Sequence, residues 1–223
     1  MTLDEIAEIT RITPFWLEKI QNIVDVERAL ADNPDDATIL KAKEFGFSDL
    51  EIAQYSGKEV FEIESKVGLP VYKMVDTCAA EFPALTPYFY STYGDEVCEI
   101  THSDRKKVMI LGSGPIRIGQ GIEFDYCTVH AVSALREDDY EVHVVNNNPE
   151  TVSTDFDTSD RLFFEPMTLE DVSHILQKDD YYGVMVQFGG QNAVNLAVPL
   201  KNEIERLNLK TRILGTTPDA MDM

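Results

Sequence analysis

Residues 107–138 read KVMILGSGPIRIGQGIEFDYCTVHAVSALRED. A short apolar run, Lys107–Leu111, meets a turn holding Gly112, Gly114, Gly119 and Gly121, and a helical segment follows. Strand, glycine-rich turn and helix in that order are one βα unit. The alternation then repeats. YEVHVVN (140–146) reads as a second strand and RLFF (161–164) as a third. In TLEDVSHILQ (168–177) Thr168 and Asp171 stand at capping spacing ahead of a helix. GVMVQF (183–188) is a fourth strand, GGQN a turn, AVNLAVPLKNEIERL (193–207) a helix and RILG (212–215) a fifth strand. Short buried strands alternating with helices predict a doubly wound, mainly parallel, Rossmann-like sheet.

Upstream the periodicity is helical. In TPFWLEKIQNIVDVERAL (13–30), Thr13 and Pro14 open a helix, with Leu17, Ile20, Ile23 and Val24 predicted on its inner face and Trp16 in the bundle core. Another helix is expected from about Pro34 to Gly46. Ser48 and Glu51 form a capping-box pattern ahead of a short helix ending at Gly57, and EVFEIESKV (59–67) stops at Gly68. The segment 69–96 loses this regularity and gathers three prolines with Tyr88, Phe89, Tyr90 and Tyr93, as expected of an extended stretch at a domain junction. The polar CEITHSDRKK (98–107) marks the boundary. The organisation predicted is a helical domain with its junction over 1–99 and an α/β domain over 100–223.

Composition narrows the function. The 223 residues are 43% apolar and 26% charged, with no apolar run near the roughly 18 residues of a membrane span. Forty acids against nineteen bases give a net charge of −21. Phosphate backbones and anionic membranes require the opposite sign, so neither nucleic acid nor membrane is an expected partner. Cys78, Cys98 and Cys127 lack C-x-x-C spacing, and His102, His130, His143 and His174 lack metal-ligand spacing. Cys127 is expected to face the core as a small hydrophobe. The start MTLDEIAEIT has no basic or apolar leader region, so the expected compartment is the cytoplasm.

The turn after the first strand lies where open parallel sheets bind ligands. A dinucleotide fingerprint would place a glycine at Arg117 and an acid at the end of the second strand, where Asn146-Asn147-Asn148 stands. Both requirements fail, and no Gly-Lys-Ser/Thr makes a Walker loop. A second glycine turn, Gly189-Gly190-Gln191-Asn192, occupies the equivalent place after the fourth strand, so one shared cleft is expected. Glu123 and Asp125 open the first α/β helix, either to cap it or to hold a cation.

Taken together, LGSGPIRIGQGIEFDYCTVHAVSALRED, NNNPETVSTDFDTSDRLFFEP, TLEDV and VQFGGQNAVNLA, with VDTCAAEF and YFYSTYGDE upstream, resemble the large subunit of carbamoyl phosphate synthetases. The motifs cover most of 71–220 and match the pre-ATP-grasp domain of the second, carbamoyl-phosphate-forming half. Residues 1–70 fit the end of the oligomerisation domain by position. The resemblance implies an ATP-dependent ligase that makes carbamoyl phosphate from bicarbonate, glutamine-derived ammonia and two ATP for arginine and pyrimidine biosynthesis. It implies ATP with Mg2+ or Mn2+ held mainly in ATP-grasp domains that this stretch lacks, so no cofactor binding and no activity are expected of this chain alone.

Implied partners are the remainder of the large subunit, a glutaminase small subunit and further copies through the helical domain. No residue here is implied to be catalytic or metal-binding. Gly112, Gly114, Gln120, Gly189, Gly190 and Gln191 are implied to face the active-site cleft, and Gly121 and Glu123 an interior tunnel. Gln191-Asn192 departs from the family's usual Gln-Thr. Two readings stay open beside this one: a scaffold or oligomerisation module without chemistry, and an independent nucleotide-binding module.

Overall fold

A computed structural model describes residues 1–94, 96–116 and 118–221. Two compact units emerge, one comprising Met1–Pro70 with Thr92–Glu96, the other Val71–Ser91 with Val97–Met223.

The first unit holds five helices: α1 (Leu3–Thr10), α2 (Pro14–Asp32), α3 (Asp36–Glu44), α4 (Asp49–Ser56) and α5 (Val60–Val67). Their ends follow the local chemistry. Thr2–Glu5 and Ser48–Glu51 close reciprocal capping boxes, and Asp35 accepts the Thr38 N–H at 2.8 Å. Val26, Leu30, Ile39, Ala42, Ile52 and Ile63 pack into the core of this unit.

The inner face of α2 differs from the sequence expectation. Leu17 is buried together with Val26 and Leu30, whereas Ile20, Ile23 and Trp16 are exposed, Trp16 at 61%. The inward stripe runs through 26 and 30, one helical step away from the one expected, and Trp16 instead meets its neighbour Phe15 edge-on at 5.1 Å.

The second unit is built on a seven-stranded sheet. Its elements are β1 (Val71–Met74), β2 (Tyr88–Thr92), β3 (Lys107–Leu111), α6 (Glu123–Glu137), β4 (Glu141–Val145), a 3-10 turn (Val152–Thr154), β5 (Arg161–Phe163), α7 (Leu169–Leu176), β6 (Tyr181–Met185), α8 (Gly190–Asn195), α9 (Ala197–Arg206), β7 (Arg212–Leu214) and α10 (Pro218–Met221). The strand order is β1-β2-β5-β4-β3-β6-β7, and the pairings β2/β5, β5/β4, β4/β3, β3/β6 and β6/β7 are all parallel. Five of these strands match those read from the sequence. Residues 71–91, expected as an extended junction, supply β1 and most of β2 of this sheet, while Thr92–Glu96 belongs to the first unit.

Alternation along β3 sends Met109 and Leu111 to one face and Ile110 to the other. The first face is covered by Val172, Ile175 and Leu176 of α7, Ala193 of α8 and Leu200 and Ile204 of α9. On the second, Ile110, Val142, Val144 and Leu162 meet Val132 of α6. Helices thus cover both faces, as a doubly wound sheet requires. The helix expected over 193–207 is broken into α8 and α9. Pro199 has no N–H for the Asn195 carbonyl, so the ladder is interrupted one turn before it.

Cys127 lies on α6 but on its exposed side, contrary to the expected core position, because the inward stripe of that helix runs through Thr128 and Val132. No helix among the described residues is long and apolar enough to cross a membrane.

Candidate functional site

The order in which parallel strands are added to the sheet reverses at β3. The connection through α6 leads to β4 on one side, and the later strand β6 lies on the other. A crevice opens at the carboxyl ends of strands at such a switch point. The two glycine turns meet there. A Cβ on Gly189 would stand 2.2 Å from the Gly112 carbonyl oxygen, 2.6 Å from that of Leu111 and 2.5 Å from the Ala193 Cβ. The Asn192 side chain donates to the Ser113 carbonyl at 2.8 Å, tying the second turn to the first. The amide at 192, bulkier than the family's hydroxyl, therefore has a defined bond.

Asn146, fully buried at the end of β4, supports the first turn from beneath. Its Oδ1 accepts the Gly114 N–H at 3.1 Å and the Asn148 N–H at 3.1 Å, and its Nδ2 donates to Ser153 Oγ at 3.4 Å. Its side chain lies 2.7–2.9 Å from where a Gly112 Cβ would be. The asparagine that displaces the ribose-binding acid of a dinucleotide site is thus a brace for the turn. Gly114 and Gly190 have φ of +67° and +60°, conformations that favour glycine.

The expected cleft residues come together in part. Gly112, Gly114, Gly189 and Gly190 are buried at the contact between turns, Gln120 is half-buried, and Gln191 is exposed and donates to Asn195 Oδ1 at 2.5 Å. Gly121 and Glu123 are exposed, and the Gly121 N–H donates to Glu123 Oε1 at 3.4 Å. The φ of Gly121 is outside the left-handed region, and a Cβ there would meet only the mobile end of Glu123. Arg117 lies outside the described residues.

Asp125 corrects both alternatives held for it. Its carboxylate accepts the N–H groups of Val152 at 2.9 Å and Ser153 at 3.2 Å, so it neither caps α6 nor is free for a cation. It secures the 3-10 turn after β4 instead. With Asp125 so engaged, Glu123 alone of this pair stays exposed.

Farther along the carboxyl edge, buried Glu165 accepts from both the N–H and the hydroxyl of Ser91 at the end of β2. Burial pushes its carboxyl up to about 7, against the pull of the Ser91 bonds and with some help from Asp171. Nothing in the sequence around Glu165-Pro166 signalled this; the pairing spans 74 residues.

At the opposite edge, His143 sits between Tyr181 Oη and Glu141 Oε1, each at 2.7 Å. Burial holds its imidazole below the usual range and raises the Tyr181 phenol. Burial also opposes ionisation of Glu141, but hydrogen bonds from His143 and Ser103 and the nearby Arg161 outweigh it and hold the carboxyl at about 2. The histidine is structural, as its isolation in the sequence suggested.

Fold and site together define a Rossmann-like α/β domain with two glycine turns in contact at its switch point, accompanied by a helical unit. Residues 104–223 match the carbamoyl phosphate synthase preATP-grasp domain, and residues 1–67 match the carbamoyl-phosphate synthetase large chain oligomerisation domain. The chain belongs to the carbamoyl phosphate synthase large-chain family. It is 93% identical over its whole length to the carbamoyl phosphate synthase large chain of Methanospirillum hungatei, 69% over 99% of its length to that of Methanoculleus marisnigri and 66% over its whole length to that of Methanocorpusculum labreanum. In each case it spans about a fifth (21%) of the relative's length.

Two outcomes follow. Gly189→Ala forces its methyl into two backbone carbonyls and should cost about 1–3 kcal/mol in urea unfolding, whereas Gly121→Ala, facing only a flexible carboxylate, should leave stability within about 0.5 kcal/mol. Equal losses would contradict the geometry.

The second outcome concerns pH. The Glu165 carboxyl titrates at about 7 folded against its ordinary 4.5, so the folded state binds the extra proton between those values. Its stabilisation is full below pH 4.5 and lost as pH rises through 7. Glu165→Gln should flatten the fall in unfolding free energy between pH 5 and 7.5; an unchanged slope would contradict the assignment.

Proposed function

We propose that this chain forms the pre-ATP-grasp scaffold of a carbamoyl-phosphate-forming half-site, together with part of the oligomerisation domain, within an ATP-dependent ligase acting on bicarbonate, ammonia and ATP in the cytoplasm. The observation that carries this reading is the meeting of the Gly112 and Gly189 turns at the sheet's switch point in a chain of this family. Buried glycines let a ligand approach the backbone, and the amide-braced turn gives the crevice a fixed wall.

In this reading Gly112, Gly114, Gln120, Gly189, Gly190 and Gln191 line the cleft toward an adjoining ATP-grasp domain, whose own side chains hold ATP and the divalent cation. Gly121 and Glu123 border the route by which carbamate reaches the second phosphorylation. The bound nucleotide supplies the phosphoryl group; the residues of this chain shape and close the cavity. By itself the chain makes no carbamoyl phosphate. The product of the whole enzyme serves arginine and pyrimidine biosynthesis, a glutaminase subunit supplies ammonia, and the helical unit associates with other copies.

Gly121 tests the proposal in the full-length large chain. Its unstrained backbone makes Gly121→Ala mild, so a large side chain acts through bulk and not through φ. Gly121→Phe should preserve bicarbonate-dependent ATP hydrolysis while the carbamoyl phosphate formed per ATP consumed falls about tenfold or more, an effect of about 1.4 kcal/mol on the productive step. Parallel loss of hydrolysis, synthesis and melting temperature in the Phe and Ala variants would make Gly121 a turn residue only.

A further inference from the structure

The amino-terminal edge of the same sheet, at the far end of the strands from the glycine turns, carries a concavity of about 670 Å³ built from residues 102–107, Leu176, residues 179–182 and residues 209–212. A chain with only nineteen bases places five of them, Arg105, Lys106, Lys107, Lys210 and Arg212, around this one hollow. Two are consumed internally. Lys107, almost fully buried, pairs with Asp179 at 3.2 Å and donates to the Ser103 carbonyl at 2.7 Å. Arg105 pairs with Asp160 at 3.3 Å and with backbone carbonyls of the α6–β4 turn.

The other three have no ion-pair partner among the described residues, in a chain where acids outnumber bases two to one. Lys106 Nζ lies 5.4 Å and the Arg212 guanidinium 5.6 Å from the centre of the Tyr182 ring, so one aromatic side chain holds both cations at the wall. The ring is itself partly exposed, at 37%. Lys210 stands two residues from Arg212 on the approach to β7.

Three cations without ion pairs, two of them over one ring, outnumber the two acids Asp104 and Asp180 on the lining, while Lys107 and Asp179 neutralise each other, and so form a receptor for negative charge. Screening over about 8 Å at physiological ionic strength lets this local field persist despite the acidic surface elsewhere. The volume suits a small molecule, and the net charge of −21 disfavours a nucleic acid. We propose that this hollow binds a small multivalent oxyanion, a phosphate or polycarboxylate compound, through Lys106, Lys210 and Arg212. The site is distinct from the crevice and does not rest on the function proposed for it. Asp104 and Asp180 lie on the same lining and temper the affinity.

The test is an amide-resolved NMR titration of the 223-residue chain with inorganic pyrophosphate and, separately, citrate. Shifts should map to 103–107, 180–183 and 209–213, and affinity should fall several-fold between 50 and 200 mM salt. Lys210→Gln with Arg212→Gln should weaken binding about tenfold with melting unchanged, while Asp104→Asn with Asp180→Asn should strengthen it. If the double cation variant fails to fold, Lys106→Gln alone should weaken binding about threefold. Response to pyrophosphate alone assigns the site to phosphates, and response to both assigns it to oxyanions generally. Shifts confined to the glycine turns, affinity indifferent to the cation variants, or no binding of either probe would overturn the proposal.

Discussion

The α/β unit depends on one close approach: the backbone of Gly189 lying against the carbonyls of Leu111 and Gly112. No side chain fits between them. That contact joins the ends of β3 and β6, the adjacent parallel strands between which the winding of the sheet reverses, and so fixes the spacing of the two turns. The neighbouring bonds add direction to it. Asn192 reaches Ser113 from one turn, and Asn146 holds the Gly114 N–H from beneath the other. Buried amides of this kind are costly when unpaired, so each of them specifies the turn geometry as well as stabilising it.

The two edges of the sheet are built differently. At the carboxyl edge, backbone and amide groups hold the two glycine turns together. At the amino edge, Glu141, His143, Tyr181 and Arg161 form a buried polar cluster that crosses β4, β5 and β6. Interiors tolerate such groups only when paired, and here the pairs link three parallel strands whose sequence separation is large.

Much of this was legible in the sequence because it is local. The Ser48–Glu51 box, the Thr168 cap and the strand runs at 107, 141, 161 and 212 depend on residues a few positions apart, and each appears as expected. The meeting of the two glycine turns was legible too, since glycines at two strand ends imply a common edge. What escaped depends on distant partners. β1 and β2 come from a proline-broken, aromatic-rich stretch whose strand character arises from pairing, β1 beside β2 and β2 with β5. Asp125 looked like a cap or a ligand because its true partners, Val152 and Ser153, follow 27 and 28 residues later. Trp16 and Cys127 were assigned inward by residue type, while the inward stripes of α2 and α6 pass through Leu30 and Val132.

The central claim is that the two glycine turns behave as one unit. Amide hydrogen exchange in Asn192→Ala tests it most directly, because that change removes the side-chain bond between the turns without touching either backbone. Loss of a bond of about 1 kcal/mol should speed exchange about fivefold in both turns, at 112–114 as well as 189–192, while β3 and β4 keep their protection. Acceleration confined to 189–195, with 112–114 unchanged, would mean that the turns move independently and that the crevice has no common wall.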